Sequence, residues 1–257
     1  MIRDREKIVN ILAEVKPKVR ERVSSAVLAI LTLAEAFRSQ GEAFTFENSD
    51  TLYAGTMEVL RKLSEGCYED AEKLARLILE DAEFSFEDYE ESRQEKKEHG
   101  LLWAFDMHAS NLLKIIAAWI AIGFSKGLTT AEIHSRIMTS LNAPESSPMW
   151  RDAVRERLID PDEVRFGRGY QRRIVDSITI LIQSILWQVL IGQQFEEAEE
   201  DGALYYVVHR GSTFDCPVCD SNCERLTPMS KPYIVPHPRC MCWIEFIFSE
   251  AEAMQYR

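Results

Sequence analysis

Positive charge is what this chain most lacks. Its 257 residues carry 30 Lys and Arg against 42 Asp and Glu, a formal net charge of −12. That balance excludes a generic nucleic-acid binder, whose affinity comes from cations that displace counterions from phosphate. The deficit is uneven. Residues 202–257 hold five Lys/Arg and six Asp/Glu, which leaves 25 and 36 in residues 1–201, so nearly all the negative charge sits in the first part. The familiar catalytic signatures are missing as well. There is no Gly-x-x-x-x-Gly-Lys-Ser/Thr phosphate loop, no Gly-x-Ser-x-Gly elbow and no His-Glu-x-x-His zinc helix. Carboxylates are plentiful, but nothing singles out two of them as an acid–base pair. Internal repeats and low-complexity tracts are absent, and 46% hydrophobic with 28% charged residues describes a folded globular chain rather than a disordered one. No secretion leader is expected: Met1–Lys7 is charged, and no small-residue cleavage site follows an apolar core.

What is present in residues 1–201 is mostly helical pattern. Ile8, Ile11, Leu12, Val15, Val19, Val23, Val27, Ile30 and Leu31 recur at three- and four-residue steps. Pro17 predicts a bend or boundary within that run, and Gly41 closes it. A second helix is predicted from Asp50 or Thr51, with Leu52, Val59, Leu60 and Leu63 on one side. A third follows through Ala71–Leu79. Residues 87–99 are a charge run that reads as a solvated face or connector. Leu101–Phe124 and Ile174–Ile191 are apolar enough to compare with a membrane span. Both are interrupted by polar side chains and read better as helices buried in a protein core. Between them come a short helix capped by Thr129 or Thr130, a loop at Asn142–Pro148 and a short helix at Trp150–Ile159. Gly202 stops the long helix that starts near Gln171.

The character then changes. Leu204–His209 and Trp243–Phe248 are β-branched and aromatic and predict strands. Five of the six cysteines lie between positions 216 and 242, and only Cys67 stands apart. In a reducing compartment such a cluster means metal or catalysis more often than disulfides. The candidate ligands are Cys216, Cys219, His237, Cys240 and Cys242, in the order Cys-x2-Cys-x17-His-x2-Cys-x-Cys. Zinc takes four thiolate or imidazole ligands tetrahedrally, and two Cys-x-x-Cys-like turns bring donors onto one ion. His237 with Cys240, or Cys240 with Cys242, each completes a set of four. Cys223 is a spare that serves only if its turn folds back. The expectation is a mainly α protein in three parts: an N-terminal helical region, 1–99, a helical body, 100–201, and a small β-rich zinc-binding module, 202–257.

A catalytic zinc keeps an open position for water, and the zinc deaminases need His-x-Glu upstream of their cysteine pair. Here His209 is followed by Arg210 and Gly211, and the surplus of ligands favours a closed, structural Zn2+ site. His209-Arg210-Gly211-Ser212-Thr213 also suggests a nucleotide-binding loop, for which Glu245 is the convergent acid; the plainer reading is a strand end turning into the metal loop. Arg165, Arg168, Arg172 and Arg173 form a local basic patch that suits phosphate or an acidic partner surface. Such patches are often paired internally, here with Asp160, Asp162 and Glu163. His108 and His134 have no matching ligand at helical spacing.

The long helix, the strand, and then Cys216-Pro-Val-Cys219 with His237-Pro238-Arg-Cys240-Met-Cys242 resemble the phage head morphogenesis family, the Mu F-like minor head proteins. The likeness covers roughly residues 165–245, with its motifs in the last thirty. Met241 stands where the family has Arg, and Asn222-Cys223 where members tend to carry Gly. The resemblance implies a non-enzymatic minor component of a phage or prophage head, located in the virion and in the host cytoplasm during assembly. It implies the portal protein or the major capsid protein as partners, with packaged DNA reached through the arginine patch. It implies no membrane and no small-molecule substrate. Some members carry a toxin domain after the metal module; with fifteen residues after Cys242, none is expected here. The expectations outside this family are a nucleotide- or ADP-ribose-handling enzyme built on His209-Arg210-Gly211, and a zinc-ribbon adaptor.

Overall fold

A computed structural model describes residues 2–39, 50–92, 100–141, 147–158, 174–211, 216–231, 233, 240 and 242–256. In chain order the elements are α1 (Ile2–Ser39), α2 (Asp50–Leu79), α3 (Phe86–Ser92), α4 (Leu101–Ser125), α5 (Thr130–Ser140), α6 (Pro148–Arg155) and α7 (Ile174–Glu200), followed by β1 (Tyr205–His209), α8 (Pro217–Asn222), β2 (Leu226–Pro228), β3 (Trp243–Ile247) and α9 (Glu250–Ala253). The expected mainly α architecture, with a small β-rich module near the C-terminus, is what forms.

Two compact units are assembled from interleaved segments. One comprises Glu14–Asp70 and Glu90–Thr179; the other comprises Met1–Ala13, Ala71–Tyr89 and Ile180–Arg257. Helices α2 and α7 each contribute to both.

In the first unit, the apolar stripe of α1 does what its spacing predicts. Val15, Val19, Val23, Val27, Ile30, Leu31 and Ala34 are all buried. Pro17 does not end the helix, which runs on to Ser39. Proline removes one backbone N–H and crowds the preceding turn, at a cost of about 3 kcal/mol, and the long buried stripe outweighs that penalty. The guanidinium of Arg22 forms a two-point pair with Asp70, with N···O distances of 2.6 and 3.0 Å. Helix α4 ends where Gly127 turns left-handed, at φ +69°, with Gly127 N–H donating to Phe124 and Leu128 N–H to Gly123. Thr129 then caps α5 in a reciprocal box with Glu132. Gly123 is where α5 comes close: a Cβ there would sit 2.5 Å from Ile133 Cγ1. Ser147 caps α6 with Pro148 as its first residue, so Pro148 opens a helix rather than closing a loop.

The second and third helices expected from sequence are one. Helix α2 runs unbroken to Leu79: Gly66 does not stop it, and Cys67 is buried on the same face as Leu60, Leu63, Ala71 and Ala75. Helices α4 and α7 are long and apolar enough to cross a membrane by length and composition, yet 59% and 67% of their most apolar windows are buried within the chain.

In the second unit, α7 ends at Gly202, φ +81°, where Ala203 N–H donates to Ala198 at 2.8 Å. A three-stranded antiparallel sheet follows in the order β2-β1-β3. Tyr206 lies opposite Phe246, and His209 opposite Trp243. Phe195 of α7 packs edge-on against both Tyr206 and Phe246, with ring centroids at 5.0 and 5.2 Å. On the opposite face Val207, Ile247 and Ala253 make a small apolar cluster edged by Tyr205, Leu226 and Tyr256.

Candidate metal centre

The cysteines gather at one end of the β1–β3 ladder. Cys242 immediately precedes β3, and Trp187 of α7 donates its indole N–H to the Cys242 carbonyl at 3.3 Å. The other donors come from α8. Cys216 sits at its N-cap, ahead of Pro217 at the first helical position, where the fixed φ of proline suits a helix start. Cys219 and Cys223 lie four residues apart, hence on one face. Cys223 N–H donates to the Cys219 carbonyl at 2.8 Å. Glu224 is left-handed, φ +58°, and turns the chain back so that its own N–H donates to Val208 of β1 at 2.8 Å. That reversal leads directly into β2.

All six cysteines are unbonded thiols. The sulfurs of Cys219, Cys240 and Cys242 lie within 4.8 Å of one another, and all three residues are buried. Cys219 Sγ to Cys240 Sγ is 3.9 Å, as is Cys223 Sγ to Cys242 Sγ. A tetrahedron with Zn–S bonds of about 2.3 Å has sulfur–sulfur edges of about 3.8 Å. The cluster therefore has the donor type, burial and spacing to hold a metal ion.

The electrostatics agree with that chemistry. Cys242 is held well below the ordinary thiol range, first by the Cys240 thiol, which donates to it, and then by the Gly211 backbone N–H and the thiols of Cys219 and Cys223. Cys240 is raised, first by that same contact and then by burial. Burial raises Cys219 and Cys223, and neighbouring negative charge adds to it. One sulfur thus accepts negative charge while its neighbours resist ionising beside it. A divalent cation is the natural relief for such a group, because it stabilises every thiolate at once.

His237 lies outside the described residues, as do Arg165, Arg168, Arg172 and Arg173. Of the predicted ligands, Cys219, Cys240 and Cys242 come together, and Cys216 stands beside Cys219 at the less buried rim. The turn after α8 does fold back, and it brings Cys223 Sγ to 3.9 Å from Cys242 Sγ, at the edge of the group. Sequence reasoning set it aside because it falls outside the paired spacing; its i,i+4 relation to Cys219 was the available signal, and it required knowing that 217–222 is helical. Tyr233 was also missed. Its hydroxyl lies 3.5 Å from Cys240 Sγ.

The loop after β1 is drawn into other contacts. His209 stacks on Trp243 with ring centroids 4.2 Å apart, its Nε2 is 2.8 Å from Glu245, and its Nδ1 is 3.2 Å from Glu224. Glu245 also accepts from the Tyr256 hydroxyl at 3.0 Å. Arg210 pairs with Asp220. Ser212 and Thr213 lie outside the described residues.

Comparison of the chain with family models, with curated proteins and with solved structures found no match. The fold and site by themselves define a mainly helical protein with a small antiparallel sheet, at the end of which a cysteine cluster can hold a metal ion.

Proposed function

We propose that the ion is zinc in a structural role, and that the chain is a phage or prophage minor head protein acting in head morphogenesis. The observation that supports the metal reading is the convergence of Cys219, Cys240 and Cys242 from two separate segments in a buried position. An all-sulfur, buried donor set suits zinc or another soft cation and leaves little room for a water ligand. In that role the ion cross-links α8 to the start of β3, and no reaction step passes through it.

The head-protein reading rests on the order Cys-x-x-Cys followed by His-Pro-x-Cys-x-Cys. Its partners would be the portal protein, the major capsid protein or both, with Arg165, Arg168, Arg172 and Arg173 available to packaged DNA. The zinc module would give the assembly a rigid end that does not depend on a large apolar core. Mass spectrometry of purified virions and procapsids tests this. The chain is expected in few copies per particle, and its absence from both would sink the reading. Elemental analysis of freshly purified protein is expected to find one zinc per chain.

A second reading, a nucleotide- or ADP-ribose-handling enzyme, draws its support from the 2.8 Å contact between His209 and Glu245. It ranks second because the polar groups of that loop already contact the chain's own carboxylates: Arg210 meets Asp220, and His209 meets Glu245 and Glu224. Titrating the protein with ADP-ribose and finding no heat of binding would remove it.

A further inference from the structure

We infer that Cys223, in place of Cys216, is the fourth metal ligand, closing an all-cysteine site with Cys219, Cys240 and Cys242. This inference rests on the metal reading above and goes beyond it by assigning the ligand set, against the pairing that the Cys-x-x-Cys spacing suggests.

Three observations carry it. The first is the arrangement of supports. Cys219 lies in α8 and Cys223 is its C-cap, one turn on, while Cys240 and Cys242 are separated by a single residue ahead of β3. Two pairs facing each other make two rungs, Cys219 to Cys240 and Cys223 to Cys242, and each rung is 3.9 Å. Two opposed edges of nearly tetrahedral length are what a four-sulfur site requires.

The second is anchoring. Cys242 is fixed by the β1–β3 pairing that begins at the next residue and by the Trp187 bond to its carbonyl. Cys223 is fixed by its own N–H bond to Cys219 and by the bond from Glu224 to Val208 on the same strand β1. One strand therefore sets both ends of the Cys223–Cys242 rung. Cys216 is the first residue before α8, and its side chain meets Cys219 of that same helix.

The third is burial. Cys219, Cys223, Cys240 and Cys242 are 5%, 8%, 3% and 3% exposed, whereas Cys216 is only half-buried. A structural thiolate site is stable because solvent and protons are kept away from it, and within the C-terminal cluster the four buried cysteines are these. Cys223 stands outside the 4.8 Å group of the other three, so metal binding requires it to swing about its Cα–Cβ bond toward the centre.

The test uses the full-length chain with zinc or cobalt(II) as the probe. Metal affinity is measured by chelator competition for the wild type and for Cys223→Ser, Cys216→Ser and His237→Ala. Cys223→Ser is expected to weaken binding about 100-fold or more, since even outer partners of ligands are worth 10- to 100-fold. It is also expected to lower the sulfur-to-cobalt charge-transfer absorption by one thiolate's share. Cys216→Ser and His237→Ala are expected to leave both unchanged. In case Cys223→Ser does not fold, rapid alkylation and peptide mapping of the zinc-loaded wild type provides an independent reading. Cys216 is expected to be labelled, with Cys219, Cys223, Cys240 and Cys242 protected until the metal is removed. Labelling of Cys223 with protection of Cys216, or loss of affinity in His237→Ala, would overturn the assignment and leave the metal reading standing. A wild type that takes up no metal would overturn both.

Discussion

The two compact units are held together by different means. The unit comprising Glu14–Asp70 and Glu90–Thr179 buries long runs of large apolar side chains: the α1 stripe, then Phe105, Leu112, Ile115, Ile116, Trp119 and Ile120 along α4. Its glycine and threonine punctuation refines helices whose cohesion comes from burial. The C-terminal sheet module within the other unit has a three-residue apolar cluster on one face and Phe195 wedged against the other. At its open end the buried side chains are cysteines. A metal held there would cross-link those short segments. The contrast sets a region whose cohesion is spread over many apolar contacts against one whose open end is a concentration of sulfurs.

The largest expected effect comes from attacking that concentration. Stripping the metal with a chelator, or replacing Cys240 by Ser, removes a contribution on the order of 10 kcal/mol in small zinc modules. Residues 202–257 should then become protease-sensitive while most of the helical circular-dichroism signal persists. A metal-free protein with an intact, protease-resistant module would erase the contrast. The converse change is Leu112→Ala in the wholly buried middle of α4, where a large-to-small substitution costs about 2–5 kcal/mol. It should lower the unfolding midpoint of the helical signal and leave metal content at one per chain. Gly123→Ala is smaller in chemistry but forces a Cβ into Ile133, and overpacking of that kind costs about 1–3 kcal/mol. Denaturant titration should show the loss, and Gly123→Ala combined with Ile133→Val should recover part of it.

The smallest effect concerns Cys67, the cysteine outside the cluster, whose thiol burial pushes up to about 12 from an ordinary 9.0. Below pH 9 it is protonated in both folded and unfolded chains and alters nothing. Between pH 9 and about 12 the unfolded thiol ionises while the folded one does not, so stability falls by up to about 1.4 kcal/mol per pH unit. Cys67→Ala should flatten that alkaline slope. If it leaves the slope as steep as before, the burial of this thiol does not govern alkaline unfolding.

Most of the helical region was legible in residue order alone. The spacing of Val15, Val19, Val23 and Val27 predicts the buried face of α1, and the cap of α5 falls on Thr129, one of the two threonines expected to supply it. Pro17 does not end α1, and the two helices expected on either side of Asp70 are one, because a local breaker or a gap in pattern weighs less than a long buried stripe. In the module, the strands at 205–209 and 243–247 follow from their β-branched and aromatic residues. The edge strand at Leu226–Pro228 carries too few residues, and too much proline, to announce itself. The candidate site was half-readable. Clustered thiols declare a metal, whereas which sulfurs face each other depends on where the chain turns back.

Residue order by itself determined the helical character, the two main strands and the presence of a thiol cluster, since periodicity and composition are properties of neighbours along the chain. Only the tertiary structure decided that Cys223 belongs with Cys242, that His209 lies between Glu245 and Glu224, and that Phe195 seats the sheet against α7. Each of those contacts joins residues from separate elements, and the left-handed turn at Glu224 and the register of β1 with β3 bring them together.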